Sequence, residues 1–144
     1  MSAVQPLCHL MGIDSHKISK EENVLLEAEL FIRIYKELNE LFRKQYQNYF
    51  YLMKFTKRME ETMLDTNFIR FVIKDILTTE EYSLAGIAYY TNTHEDVLLE
   101  IIAGCNTSPS AIFQRKIIEL HREVKRDLYH QIIKKITLEY LAAA

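Results

Sequence analysis

The sequence of 144 residues is short of the residues that break regular structure, with three glycines and two prolines. An all-β sandwich or barrel needs many tight turns, so this shortage argues against one. Neither glycine nor proline occurs between Gly12 and Gly86, and residues that favour helices fill that stretch. The two cysteines, Cys8 and Cys105, are too few for a disulfide framework. The fold class that these absences predict is all-α.

A long apolar run and a charge excess of one sign are also missing. No apolar run approaches the roughly eighteen residues of a transmembrane helix, and residues 1–12 lack the basic start and apolar core of a secretion signal. The formal charge of −2 does not by itself indicate a nucleic-acid binder. With 49% hydrophobic residues, the composition is that of a folded chain. We therefore expect a cytoplasmic protein with no membrane partner.

An apolar seam follows a helix-start signal near the N-terminus. Ser19 and Glu22 have the spacing of a capping box, which predicts a helix start near Lys20 after an N-terminal segment of residues 1–19. Apolar residues then recur at spacings of four and three: Val24, Ala28, Phe31, Tyr35, Leu38 and Phe42. This 3.5-residue period is typical of helices that pair with another helix. We expect a long helix or helical hairpin over 20–63, which bends near 49–51 or mediates a homodimer.

Aromatic and basic residues are mixed in the second half of that segment. Five basic residues and no acid occur from Arg43 to Arg58, and five aromatic residues lie among them: Tyr46, Tyr49, Phe50, Tyr51 and Phe55. Such a mixture can stack on nucleic-acid bases and neutralise phosphates. It can also be a core stripe of aromatic residues with solvated lysines beside it. The sequence favours the second interpretation and leaves the first open.

Residues 83–110 predict two short helices joined by a tight turn. Ser83 is suited to cap the first helix, and Asn92 is suited to a left-handed turn after it. Gly104 stands where a left-handed residue would end the second helix. A loop follows, and the next helix is expected to begin at the following proline with Ser108 as its cap.

This segment resembles the helix-turn-helix of the lambda-repressor and Cro-like family. The positions that match the family's order are Ile87-Ala88, Thr91-Asn92, Leu98, Ile101, Gly104 and Pro109-Ser110. The resemblance covers about residues 68–124 and implies a lambda-repressor-like helix-turn-helix core. We expect one domain over 65–141, closed by a last helix from Leu128 to Leu141.

The resemblance implies a small transcription regulator that binds DNA as a dimer and is not an enzyme. Its candidate DNA contacts are Thr93, His94, Glu95, Asp96, Asn106, Thr107, Ser108, Ser110, Arg115 and Lys116. However, residues 80–104 contain five acids and no lysine or arginine, and carboxylates repel the phosphates of DNA. The alternative is a helical protein-interaction module that kept the fold, lost affinity for DNA and docks its acidic second helix on a basic protein.

Patterns for catalysis, cofactors and metals are not found in the sequence. It has no Gly-rich phosphate loop and no nucleophile elbow. Cys8, His9 and His16 have no second ligand pair at zinc-finger spacing. Cys105 is expected to be a small buried thiol, and His121 is expected on the surface of an amphipathic helix. We therefore predict no catalytic residue, no metal ligand and no cofactor.

Overall fold

Helices make up the regular structure of the chain in a computed structural model that describes residues 4–12 and 14–143. Within these residues there are nine α-helices and no strand, which confirms the all-α prediction. The helices are α1 (Val4–Met11), α2 (Lys20–Gln45), α3 (Gln47–Leu52), α4 (Lys57–Thr66), α5 (Phe68–Thr78), α6 (Leu84–Thr91), α7 (Glu95–Ile102), α8 (Ala111–Val124) and α9 (Arg126–Ala143). One 3₁₀ turn, Ser15–Lys17, precedes α2.

Two compact units divide the chain, and their boundaries fall inside α2 and between α8 and α9. The first unit combines Met1–Glu40 with Arg126–Ala144, and the second is Leu41–Lys125. These units differ from the segments 20–63 and 65–141 that the sequence indicated, because α2 contributes residues to both units. Residues 1–3, 13 and 144 lie outside the described part.

The segment 20–63, predicted as a long helix or a helical hairpin, starts where expected but is not one continuous helix. The Ser19 hydroxyl accepts a hydrogen bond of 3.2 Å from the Glu22 backbone N–H, so the helix begins at Lys20 as expected. It ends at Gln45, and two shorter helices, α3 and α4, occupy the rest of the segment. The break after α3 contains Lys54 in the left-handed region at φ 55°. Because this position is not a glycine, the sequence does not indicate that conformation.

In the first unit, α9 lies antiparallel to the first part of α2. Lys135 Nζ lies 2.9 Å from both carboxylate oxygens of Glu37. One turn further along, Arg33 forms an ion pair with Glu139, and its guanidinium lies 5.2 Å from the centre of the Tyr140 ring. The core contains these buried side chains from α1, α2 and α9: Leu7, Cys8, Leu30, Ile34, Leu38, Tyr129, Ile132, Ile133 and Ile136.

In the second unit, α5 packs against α7 and α8, and α6 packs against the same two helices. Phe42, from the end of α2, contacts Phe68 and Phe71 with ring centres 6.0 and 5.5 Å apart. The fully or almost fully buried side chains are Leu64, Val72, Ile73, Ile76, Ile87, Leu98, Ile101, Ile117 and Leu120. Each such side chain contributes about 1.5–3 kcal/mol when removed from water. This core fixes which sides of α6, α7 and α8 remain exposed.

Candidate nucleic-acid interface

The turn between α6 and α7 is built from local hydrogen bonds. Ser83 Oγ accepts from the Gly86 backbone N–H at 3.1 Å, which caps α6 as predicted. Asn92 is left-handed at φ 50°, ψ 46°, also as predicted. The Thr93 N–H donates to the Ala88 carbonyl at 2.9 Å, and the Asn92 N–H donates to the Tyr89 carbonyl at 3.2 Å. This pair of bonds is a Schellman motif, which ends α6 and turns the chain toward α7.

The end of α7 repeats this motif around a glycine. Gly104 has a φ of 80°, and the N–H of Cys105 donates to the Glu100 carbonyl at 2.8 Å. A side chain at Gly104 would have room, because its Cβ would lie 3.5 Å from the nearest atom, in Arg70. The backbone conformation is therefore the constraint at this position. Cys105 is exposed, so the prediction of a buried thiol is wrong: the residue lies beyond the helix end instead of on its inner side.

The loop before α8 places its polar candidates differently from the prediction. Ser110 is the helix cap, and its Oγ accepts from the Phe113 N–H at 3.2 Å. The Ser108 cap predicted from the sequence is wrong, because the Ser108 N–H donates to Asn106 Oδ1 at 3.1 Å and the loop continues through Pro109. Thr107 is exposed within this loop. Thr107 and Ser108 are therefore the exposed hydroxyl residues of the loop, whereas the Ser110 hydroxyl caps α8 and the Asn106 amide oxygen accepts a hydrogen bond within the loop.

The exposed side of α7 is acidic and apolar. The buried side contains Leu98 and Ile101, at 0% and 2% exposure. The opposite side contains Glu95, Asp96, Leu99 and Glu100, of which Leu99 is 47% exposed. We call these four residues the α7 face. His94 precedes it as the helix cap, and its Nδ1 lies 3.6 Å from the Asp96 carboxylate.

The two basic candidates on α8 are engaged within the chain. Arg115 lies 3.6 Å from Glu119 one helical turn later, although its side chain is 69% exposed. Lys116 Nζ donates to the Thr91 backbone carbonyl at 3.5 Å, which links α8 to the end of α6. Thr93 Oγ donates to the same carbonyl at 3.1 Å. Lys116 and Thr93 therefore stabilise the carboxyl end of α6 in this structure.

A buried polar pair was missed at the sequence level. His121 is fully buried, so its expected surface position is wrong. Its Nε2 lies 2.6 Å from Asp75 Oδ2 on α5, and Lys125 Nζ lies 3.7 Å from the other oxygen. Because an ionised carboxylate only accepts hydrogen bonds, Nε2 is the donor. This bond, opposed by burial and assisted by the nearby positive charge, holds the pKa of Asp75 below its usual range.

The signal for this pair was present in the spacing along α8. His121 follows the buried Ile117 by four residues, so both side chains lie on the same side of the helix. The partner, however, is 46 residues earlier in the chain, and spacing within one helix does not identify it. The pair joins α5 to α8 and thereby stabilises the two helices against which α7 and α6 pack.

Comparisons of the chain with protein-family models, curated proteins and solved structures found no match. In the described part of the chain, no group of three or more histidine, cysteine, aspartate or glutamate side chains could hold a metal ion. None of the helices described there is both long and apolar enough to cross a membrane.

Proposed function

We propose that residues 68–124 form a helix-turn-helix module whose α7 face is a docking surface for a basic protein. The observation that carries this proposal is the composition of the α7 face. Glu95, Asp96 and Glu100 are exposed around the partly exposed Leu99, and α7 contains no lysine or arginine. An apolar centre with a charged rim is the usual arrangement of a protein–protein interface.

The same composition is unfavourable for DNA. In a helix-turn-helix the second helix enters the major groove, between phosphates that carry one charge per ~1.7 Å of duplex. A carboxylate ~7 Å from one phosphate is repelled by about 2 kcal/mol at an effective dielectric constant near 20. The only base group there that a carboxylate can bind is the amino group of cytosine or adenine, which does not offset three carboxylates against two strands.

Support for the helix-turn-helix part of the proposal comes from the helix caps and left-handed residues around α6 and α7. Ser83 and Ser110 are helix caps, and Asn92 and Gly104 are left-handed at the two helix ends. Asn92 and Gly104 are the positions at which the family resemblance places the turn and the closing glycine, whereas the cap before α8 was expected at Ser108 and is Ser110. The local backbone therefore agrees with the order of residues that carried the resemblance.

Self-association through α2 is the second part of the proposal. Four large apolar side chains of its first half are exposed by 41–59%: Val24, Leu25, Phe31 and Ile32. They belong to the 3.5-residue seam or lie beside it, and this period suits pairing with an identical helix. The exposed surface for self-association is shorter than the predicted segment 20–63, because Leu38 and Phe42 of the same seam are buried within the chain.

A DNA-binding transcription regulator is the second candidate function. It is favoured by the exposed hydroxyls at Thr107, Ser108 and Ser110 just before α8, and by the 69% exposed Arg115 side chain. Hydroxyls and arginine at the start of a helix are common phosphate contacts. In this candidate the attraction to DNA comes from α8 and opposes the repulsion from α7.

Electrophoretic mobility shifts on random duplex DNA at low and moderate salt distinguish the two candidates. For the docking function we expect no shift with the parent chain and none with the variant Glu95→Gln, Asp96→Asn, Glu100→Gln. A shift with the parent that weakens in Arg115→Ala, Lys116→Ala would overturn the docking function in favour of DNA binding. The salt slope should then fall by about 0.9 for each phosphate contact removed.

The docking function is tested directly by a photoreactive amino acid at Leu99, with the same group at the 59% exposed Leu138 as the control. We expect a crosslink from position 99, but not from 138, to a lysine- and arginine-rich segment of one protein. The crosslink should disappear when the three acids are neutralised. A crosslink that persists after neutralisation would show that charge does not direct the contact, and would contradict the proposal.

A further inference from the structure

A second exposed surface lies where α3 ends and α4 begins, and we call residues 49–58 the α3–α4 tip. Four large side chains are largely in solvent within five consecutive positions: Tyr49 (65% exposed), Tyr51 (83%), Leu52 (74%) and Met53 (67%). A cluster of this kind on a folded chain commonly marks an interaction site. The tip shares no residue with the α7 face.

Exposed positive charge flanks these apolar side chains along the chain. Lys44, Lys54, Lys57 and Arg58 are all exposed, and no acid occurs between residues 43 and 58. Lys57 and Arg58 lie in the first turn of α4, where the helix dipole favours anions over cations. The dipole and the side chains therefore attract an anionic partner together. The nearest acid along the chain, Glu60, faces Arg43, with 3.9 Å between the charged groups.

The outward orientation of the tip is fixed by its backbone. The Phe55 N–H donates to the Phe50 carbonyl at 3.0 Å, and the Lys54 N–H donates to the Tyr51 carbonyl at 3.1 Å, which is again a Schellman motif. The rings of Phe50 and Phe55 stack with centres 5.5 Å apart, and Phe50 is buried. These two rings anchor the turn from inside. Residues 51–53, which lie between them, are left in solvent.

The aromatic and basic mixture of this segment is thus divided between two roles. Tyr46 stacks on Phe71 with ring centres 4.7 Å apart, and Phe50 is buried, so part of the mixture is core as the sequence favoured. Tyr49 and Tyr51 are exposed, so they are the part of the mixture to which the other interpretation, stacking on nucleic-acid bases, still applies. Leu52 and Met53 decide what kind of surface it is, because aliphatic side chains have no flat ring to stack on bases.

We propose that the α3–α4 tip binds the surface of a bilayer that contains anionic phospholipids. Leu52 and Met53 enter the boundary between headgroups and acyl chains, where an apolar medium replaces the water around them. Tyr51 lies at the headgroup level, which suits its ring and hydroxyl. Lys54, Lys57 and Arg58 bind the phosphates. Binding of this kind departs from the expectation of no membrane partner, which rested on the lack of an apolar run long enough to span a bilayer and of a secretion signal.

Vesicle co-sedimentation of the full chain tests this proposal. We expect binding to vesicles of phosphatidylcholine mixed with phosphatidylglycerol, none to phosphatidylcholine alone, and release at high salt. Lys57→Gln with Arg58→Gln removes two surface cations and should weaken binding about tenfold or more. Leu52→Asn with Met53→Asn should weaken it to a similar degree without changing the charge.

Matched controls lie on α9, where Leu138 and Lys134 are also exposed. Leu138→Asn and Lys134→Gln should bind vesicles as the parent does, and circular dichroism should show every variant folded. Equal binding to both vesicle types, no binding to either, or unchanged binding by the tip variants would each overturn the proposal. So would binding of polyuridylate by the tip in the absence of vesicle binding, since the surface would then serve nucleic acid.

Discussion

Replacing Asp75 by alanine should destabilise the second unit, because His121 then loses its hydrogen-bond acceptor. The His121 side chain is fully buried, and its Nε2 lies 2.6 Å from the Asp75 carboxylate. Leaving a buried donor without a partner costs about 1–3 kcal/mol. The ion pair with Lys125 is longer, at 3.7 Å, and partly exposed, so it adds at most about 1 kcal/mol.

Asp75→Asn is the matched variant, since its amide oxygen can still accept from Nε2. A hydrogen bond to a charged group contributes about 1.5–3 kcal/mol and a neutral one about 0.5–1.5 kcal/mol, so asparagine should lose roughly 1 kcal/mol. Urea unfolding followed by far-ultraviolet circular dichroism gives the midpoint and slope for each variant. If the alanine variant has the parent's midpoint and slope, the pair does not stabilise the fold and our account of α8 is wrong.

The pH dependence of the same pair has a definite sign. Hydrogen bonding to His121 lowers the pKa of Asp75 in the folded chain. A carboxyl with a lowered folded pKa adds stability that is fully present above its unfolded pKa, about 3.9, and is lost as pH falls through the folded pKa. As the Asp75 carboxyl becomes protonated, the difference in unfolding free energy between parent and Asp75→Asn should therefore shrink below about pH 4. A difference that grows on acidification would contradict this sign.

Three further substitutions test the turns and the seam. Gly104→Val should destabilise the chain by about 1 kcal/mol or more, because φ is 80° there, and an unchanged melting temperature would argue against this account of the end of α7. Lys54→Gly should stabilise it by roughly 0.5–1 kcal/mol in urea unfolding, because glycine relieves the left-handed strain, and a loss of stability would contradict this. Ile32→Glu should convert a dimer to a monomer in light scattering, whereas a monomeric parent would refute self-association through α2.

The turns that could be predicted from the sequence are those set by neighbouring residues. Ser83 binds the N–H three residues later, and Asn92 and Gly104 adopt the conformation that their side chains, or lack of one, permit most easily. Glu80 and Lys54 adopt the same left-handed conformation without that preference. At Lys54 the stacking of Phe50 on Phe55 fixes the turn, and propensity alone gives no sign of it.

The apolar seam shows a second limit of local patterns. Val24 and Leu38 hold equivalent places in the 3.5-residue period, yet Val24 is 56% exposed and Leu38 is 0% exposed. Periodicity identifies which residues share a side of the helix. It does not identify where along the helix another element covers that side, because the covering element comes from distant parts of the chain. For the same reason, the pattern along α8 does not identify Asp75 as the partner of His121.

The net charge of the chain gives no sign of the two charged surfaces on which the functional proposals rest. The formal charge is −2, but acids dominate the α7 face and cations dominate the α3–α4 tip, both within Leu41–Lys125. Opposite charges on one unit predict opposite partners: the α7 face repels an anionic ligand and the tip attracts it. Neutralising the three acids of the α7 face should therefore never weaken vesicle binding, whereas removing Lys57 and Arg58 should never abolish the Leu99 crosslink. If neutralising the three acids weakens vesicle binding, or if removing Lys57 and Arg58 abolishes the crosslink, the two surfaces form one site. Both proposals must then be replaced by a single one.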